Sequence, residues 1–292
     1  MTGIPSAWQA LFADAGRLHE VADGILADSR CRPAFAQKEE VDLRDAVAEP
    51  FFRSPGAAVA EAARHHSRGV MLRRAREQVA RVTSRTAAGE RIIVDLGCGF
   101  GWHWVDLSAE NPTIRFVLID FSMTNLRVCR TLMPVERHSN VLCVQASILD
   151  LPLREAVADL AWSVQVMQHM AGPERALALH GMKRLLKPGG AFYVAWLRDV
   201  PAVRALYALA AKRYHRRGRT PLGLHLDRFD DSIRDELLAV FPSGRISRSE
   251  SLFHPELRLR PPAVWIGGLD LALSGSPLGG LLARQAEFSG ET

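Results

Sequence analysis

The feature that most constrains this chain is the run Ile92-Ile93-Val94-Asp95-Leu96-Gly97-Cys98-Gly99-Phe100-Gly101, answered further on by Val117-Leu118-Ile119-Asp120. An apolar run that opens straight into glycines at alternate positions reads as a buried strand entering a tight turn. Glycine supplies positive φ there, and without a Cβ it lets backbone come close to a bound molecule. A second apolar run ending in an acid places a carboxylate at the tip of another strand, where it can accept both hydroxyls of a ribose. Together the two segments predict a ribose-bearing small molecule held at the carboxyl ends of parallel strands.

The rhythm of the chain from Arg91 onward supports that reading. Strand-like apolar runs at 92–96, 114–119, 141–145, 158–163 and 191–196 alternate with helical stretches at 101–109, 122–133 and 173–186. Such alternation predicts an α/β fold with a parallel sheet covered on both faces. Asp230–Phe241 reads as a helix with Asp231 or Ser232 as N-cap, and 245–253 and 263–268 as two last strands. Residues 1–88 lack strand-like alternation and read as helical. A helix over 57–82 carries one apolar stripe through Val59, Ala63, His66, Val70, Ala75, Val79 and Val82. The division that follows is a helical N-terminal extension or lid at 1–88 and a ligand-binding domain at 89–292. Within the latter, 198–229 forms a cap insertion overhanging the strand ends.

Composition narrows the class. With 48% hydrophobic and 24% charged residues in 292, the chain has the make-up of an ordinary globular protein. No apolar window reaches the roughly 18 residues of a spanning helix. Met1-Thr2-Gly3-Ile4-Pro5 has neither the basic nor the apolar region of a secretory signal. Cys31, Cys98, Cys129 and Cys143 are scattered without a C-x-x-C, so a cytoplasmic chain with reduced thiols is expected. The net charge of +5 is mild. Its basic excess gathers at Lys212–Arg219, a pattern more common in solvated loops than in nucleic-acid sites. No metal-binding spacing is present, and a homodimer is left open.

Gly97-Cys98-Gly99-Phe100-Gly101 has Trp102 where the dinucleotide fingerprint puts its third glycine, and Asp95 precedes the turn. In this the chain resembles the class I S-adenosylmethionine-dependent methyltransferases, whose first motif reads D/E-x-G-x-G-x-G. The resemblance continues in order through Asp120-Phe121-Ser122, Leu151-Pro152-Leu153, Ala158-Asp159-Leu160-Ala161-Trp162-Ser163, Gln168-His169-Met170 and Leu185-Leu186-Lys187-Pro188-Gly189-Gly190-Ala191-Phe192. It covers about 91–196. It implies a Rossmann-like, doubly wound, seven-stranded, mostly parallel sheet of order 3-2-1-4-5-7-6, with N-terminal helices and a cap after strand five.

The resemblance also implies site roles, with S-adenosylmethionine as cofactor and S-adenosylhomocysteine as product. Gly97, Cys98 and Gly99 would pass the methionine part, with Asp95 near its amino group. Asp120, with Phe121 beside it, would take the ribose hydroxyls. Ser147 and Ile148 would border the adenine, although relatives commonly carry Asp at the Ser147 position, and Asp150 is a stand-in. Ser163 and Gln165 complete the cofactor set. His169 is the candidate base, against a structural histidine at a helix start. Gln168, His66, His103 and His225 are candidate acceptor contacts, with His103 favouring a helix surface and His66 a partly buried packing role. The expected reaction is in-line methyl transfer to an O or N atom of a small molecule. The alternatives are an RNA or protein methyltransferase using 212–219, or a non-catalytic cofactor-binding partner subunit. After strand four the chain lacks the (D/N/S)-P-P-(Y/F) of exocyclic-amine methylases of nucleobases.

Overall fold

The computed structural model describes residues 4, 6–22, 24–31, 53–54, 56–57, 70–85, 90–198, 227–249, 276–277, 283 and 285–292. Among these, nine strands form one sheet. They are β1 (Leu18–Ala22), β2 (Ile25–Asp28), β3 (Arg91–Leu96), β4 (Ile114–Asp120), β5 (Val141–Gln145), β6 (Ala158–Val164), β7 (Leu186–Leu197), β8 (Arg245–Ser249) and β9 (Gln285–Glu291). Their order is β1-β2-β5-β4-β3-β6-β7-β9-β8. Strands β2 to β7 run parallel to one another, while β1, and β9 against β7 and β8, are antiparallel.

The central order reproduces 3-2-1-4-5-7-6, and two features depart from expectation. The N-terminal region is not all helix, because β1 and β2 form a hairpin that extends the sheet beyond β5. Five- and four-residue strands are too short to show period-two alternation, and β2 is buried at all four positions. Gly24, at φ +70°, makes the connection between them. The last strand is Gln285–Glu291, which pairs with both β7 and β8; the expected 263–268 lies outside the described residues. Its polar residues concealed it, since Gln285 and Glu287 are buried beside Ala286 and Phe288.

Helices cover both faces. On one lie α5 (Gly172–Leu185) and α6 (Asp231–Val240), whose Leu179, Met182 and Leu237 join Val94, Val117, Phe192 and Val194. The short α1 (Ser6–Gln9) adds Trp8 to that core. On the other face lie α2 (Val70–Arg85), α3 (Val105–Glu110) and α4 (Met123–Leu132). Ala75, Val79 and Val82 of the expected stripe pack there with Ile93, Phe116 and Tyr193. Capping follows local chemistry. Ser122 accepts from Asn125 N at the start of α4, and Asp230, rather than the expected Asp231 or Ser232, accepts from Ile233 N on α6. The expected helix over 101–109 begins only at Val105, because three positive-φ glycines and a turn occupy the preceding residues.

Candidate functional site

After β3 the chain winds to β4 and β5 on one side, and β6 then lies on the other side of β3. In an open α/β sheet this reversal of direction opens a crevice at the carboxyl ends of the strands, where ligands bind. The glycine turn stands at the mouth of that crevice. Gly97, Gly99 and Gly101 have φ of +80°, +54° and +64°, so each occupies the left-handed region. Three different surroundings then explain three glycines. A Cβ on Gly97 would come within 2.4 Å of Val166 Cγ2, and one on Gly101 within 2.8 Å of Cys129 Sγ. A Cβ on Gly99 would meet nothing within 4 Å. Gly97 and Gly101 are therefore fixed by packing, whereas Gly99 faces open space where a ligand can come close.

Backbone hydrogen bonds hold the turn. Gly97 N and Cys98 N both donate to Ile119 O, at 2.8 and 2.9 Å. Asp120 completes the brace: its Oδ2 accepts from Gly99 N at 2.8 Å. Its Oδ1 accepts from Ser122 N at 2.9 Å and from Asn125 Nδ2 at 3.3 Å. The carboxylate is thus aimed across the turn before any ligand arrives. Phe121 O accepts from Gln145 Nε2 at 3.0 Å, which links the ends of β4 and β5.

Asp95 is buried on β3, and its Oδ2 accepts from Trp104 Nε1 at 2.7 Å. Burial pushes its carboxyl up to about 8. The Trp104 hydrogen bond works against that rise, and the charge of Asp120 adds to it. A positive group arriving beside Asp95 would restore the ionised form. Trp104 is a site residue that the motif reading missed; its indole packs edge-on against Trp162, with centroids 5.4 Å apart. A buried tryptophan soon after such a turn, with an N–H that needs an acceptor, is the signal that could have found it.

On the far side of the crevice Ser163 is fully buried, and its Oγ donates to Leu96 O at 2.9 Å, tying β6 to β3. Gln165 is a non-glycine residue at φ +58°, a conformation that costs energy and clusters at functional sites. Its kink tucks Val166 against Gly97, and its N–H donates to Ala195 O at 2.9 Å. The next turn, Met167–His169, carries Gln168 and His169. Gln168 is buried, its Oε1 accepts from Leu197 N at 2.9 Å, and its carbonyl accepts from Asp227 N at 2.8 Å. It braces the site wall. His169 is half-buried, with Nε2 3.4 Å from Gln168 Nε2.

Beyond β5, Ser147 Oγ accepts from Leu149 N at 3.2 Å, and Ile148 is buried. Asp150 forms an ion pair with Arg17 at 2.8 Å. His103 corrects the expectation of a helix-surface position. It is buried, stacked on Trp102 with centroids 3.7 Å apart and edge-on to Trp162, because aromatic rings fill this corner of the core. His66 and His225 lie outside the described residues, as does most of the 198–229 insertion. Among the described residues no cluster of three or more His, Cys, Asp or Glu could hold a metal, and no helix is long and apolar enough to cross a membrane.

Residues 94–194 match the family described as a methyltransferase domain. The chain therefore carries a class I S-adenosylmethionine-dependent methyltransferase domain, on the same stretch that builds the crevice. It is 32% identical over 34% of its length to an Arabidopsis thaliana tRNA (carboxymethyluridine(34)-5-O)-methyltransferase, covering 22% of that protein. It is 26% identical over 47% of its length to the 27-O-demethylrifamycin SV methyltransferase of Amycolatopsis mediterranei, covering 51% of it. The chain spans at most about half the length of these relatives. A solved structure of a possible exported protein from Bordetella parapertussis shares the fold, at TM-score 0.51 and 15% identity over 75% of this chain and 67% of that one.

Proposed function

We propose that this protein transfers the methyl group of S-adenosylmethionine to an O or N atom of a small molecule. The observation that carries the reading is the pairing of Gly99 with Asp120. Backbone without a side chain faces open space, and a braced carboxylate stands beside it. That combination suits a ribose with its attached sulfonium chain, and the residues present fit the cofactor. When bound, the cofactor supplies an electrophilic methyl on a sulfonium. Asp120 would hold the ribose hydroxyls, and Asp95 would ionise to pair with the ammonium of the methionine part. Gly97 and Cys98 would present backbone along that part, while Ser147 and Ile148 would border the adenine. Ser163 and Gln165 shape the opposite wall.

His169, half-buried on the turn that follows β6, would accept the proton that an O–H or N–H acceptor must lose. A labelled-methyl transfer assay over small phenols, alcohols and amines tests the reading. A positioned base contributes about 100- to 10,000-fold, so His169→Ala should lose turnover on that scale while S-adenosylhomocysteine affinity stays within a factor of two. Unchanged turnover would remove His169 from the mechanism.

A second reading, RNA as the acceptor, draws on the tRNA-modifying relative and on the basic run Lys212–Arg219. Methylation of RNA with a steep loss of RNA affinity as salt rises would favour it. The free thiols, including Cys129 and Cys143 in a hydrogen-bond contact of 3.5 Å between their sulfurs, suit a reducing cytoplasmic setting.

A further inference from the structure

The loop after β5 is held from outside by the N-terminal segment. Its start is tied to the site, because Ala146 N donates to Asp120 O at 3.2 Å. Within it, Asp150 N donates to Ser147 O at 3.2 Å. Its outer edge is stitched to residues that precede β1: Ala13 N donates to Pro152 O at 2.9 Å, and Arg154 N to Leu11 O at 2.8 Å. Arg154 Nε adds a bond to Phe12 O at 2.9 Å. No motif in 91–196 required these contacts.

Arg17 is the centre of that junction. Its Nε and Nη2 grip Asp28 Oδ1 and Oδ2 at 3.2 and 2.6 Å. Nη2 also donates to Asp150 Oδ2 at 2.8 Å and to the Asp150 carbonyl at 3.3 Å, while Nη1 reaches Asp150 Oδ1 at 3.4 Å. The Arg17 side chain is 10% exposed and that of Asp28 is 1% exposed, so this is a sheltered pair with a planar, two-pronged fit. Asp150, at 57%, keeps an open side. Because β2 is parallel to β5, its carboxyl end at Asp28–Cys31 emerges on the same side as Asp120. The Cys31 thiol registers that closeness. Burial pushes it up to about 11, and the charges of Asp28 and Asp120 add to the rise.

We infer that residues 6–22 and 24–31 form the outer wall of the nucleoside end of the donor site, with Arg17 as the positioning residue that holds loop 147–150 against a bound adenosine. This rests on the donor reading above. Arg17 acts through Asp150 and the loop, so its removal loosens the adenosine end and leaves the methionine end alone.

Calorimetry on the full chain with two ligands separates the ends. S-adenosylhomocysteine carries both adenosine and amino acid, whereas 5′-methylthioadenosine lacks the amino acid. Arg17→Ala should weaken both by the same factor, about tenfold for one lost charge-assisted contact. Arg17→Lys should recover part of the loss. Asp95→Asn should weaken S-adenosylhomocysteine alone. General loosening of the fold would also lower both affinities, so the denaturant midpoint of Arg17→Ala is measured beside them, and an affinity loss at an unchanged midpoint is the expected result. If that midpoint falls, or Arg17→Ala does not fold, the wild-type protein decides: saturating S-adenosylhomocysteine should slow alkylation of Cys31 severalfold, and an unchanged rate overturns the inference. Wild-type affinity for both ligands with no loss in Arg17→Ala overturns this inference alone. Wild-type protein that binds neither ligand overturns the donor reading and this inference with it.

Discussion

The two halves of the crevice are built by different means. On the β3–β4–β5 side, the turn is held by backbone hydrogen bonds, and what it presents is a glycine with empty space above it beside one braced carboxylate. On the β6–β7 side, the prominent side chains cross-brace the fold. Gln168 holds Leu197, and Arg175 donates to Asp227, Glu236 and Met170 O while lying over Trp196. Farther out, Gln285 and Ser249 are fully buried cross-strand partners, and neither Gln285 Oε1 nor Ser249 Oγ has a hydrogen-bond partner among the described residues. A half made of backbone recognises a ligand shape that many chains share. Under the proposed function, a half made of side-chain braces would leave recognition of the second substrate to other residues.

If that division is real, substitutions on the donor side should cost ligand affinity and those on the acceptor side should cost stability. The largest effect is expected from Asp120→Ala. It strands the N–H groups of Gly99 and Ser122 and removes the proposed ribose contact, so S-adenosylhomocysteine affinity should fall about 100-fold or more by calorimetry. A loss of only a few-fold would place the ribose elsewhere.

The glycine turn offers a sharper contrast within one loop. Gly97→Ala should destabilise the fold by about 2–4 kcal/mol, from overpacking against Val166 and a left-handed backbone. Gly99→Ala, at an open position, should cost about 1 kcal/mol for its backbone alone and show its main loss in cofactor affinity. Denaturant titrations of both variants, set beside their ligand affinities, would break the comparison if the two behaved alike.

On the other half, Arg175→Ala should destabilise by about 2–3 kcal/mol in the same titration, less than a fully buried pair because both carboxylates are about a third exposed. Its S-adenosylhomocysteine affinity should be unchanged.

The smallest effect is a pH dependence. Asp95 binds its proton more tightly folded than unfolded, with a folded value of about 8 against 3.8. Between those values the native state carries the extra proton, so this group's contribution to stability falls as pH rises through that window. Ligand binding that needs the ionised form should therefore strengthen by about tenfold or more from pH 6 to 8, and Asp95→Asn should flatten that slope. A flat wild-type profile would separate Asp95 from the ligand's ammonium.

How much of this was legible beforehand differs between the halves for physical reasons. Asp95, Gly97, Gly99 and Asp120 announce themselves because the turn needs positive φ and the strands flanking it need continuous apolar runs. Alternating strands and helices announce the parallel sheet, whereas the central strand order comes from the family resemblance and not from the alternation. Trp104, Asn125 and Val166 carry no such local requirement; each matters only because the fold brings it against Asp95, Asp120 or Gly97. The N-terminal hairpin was hidden for a related reason. Leu18–Asp28 contains His19, Glu20 and Asp28, and Asp28 becomes a tolerable buried residue only once Arg17 reaches it.

What the sequence determined alone is therefore the part written in local conformational preference: the glycine turn, the parallel αβ rhythm and the acid at the end of β4. The tertiary structure alone decided which buried polar groups meet, since a hydrogen bond between residues 17 and 150 or 168 and 197 leaves no periodic trace in the chain. The donor half was readable for that reason. The braces at Arg17–Asp150 and Gln168–Leu197 became visible only when distant segments were brought together.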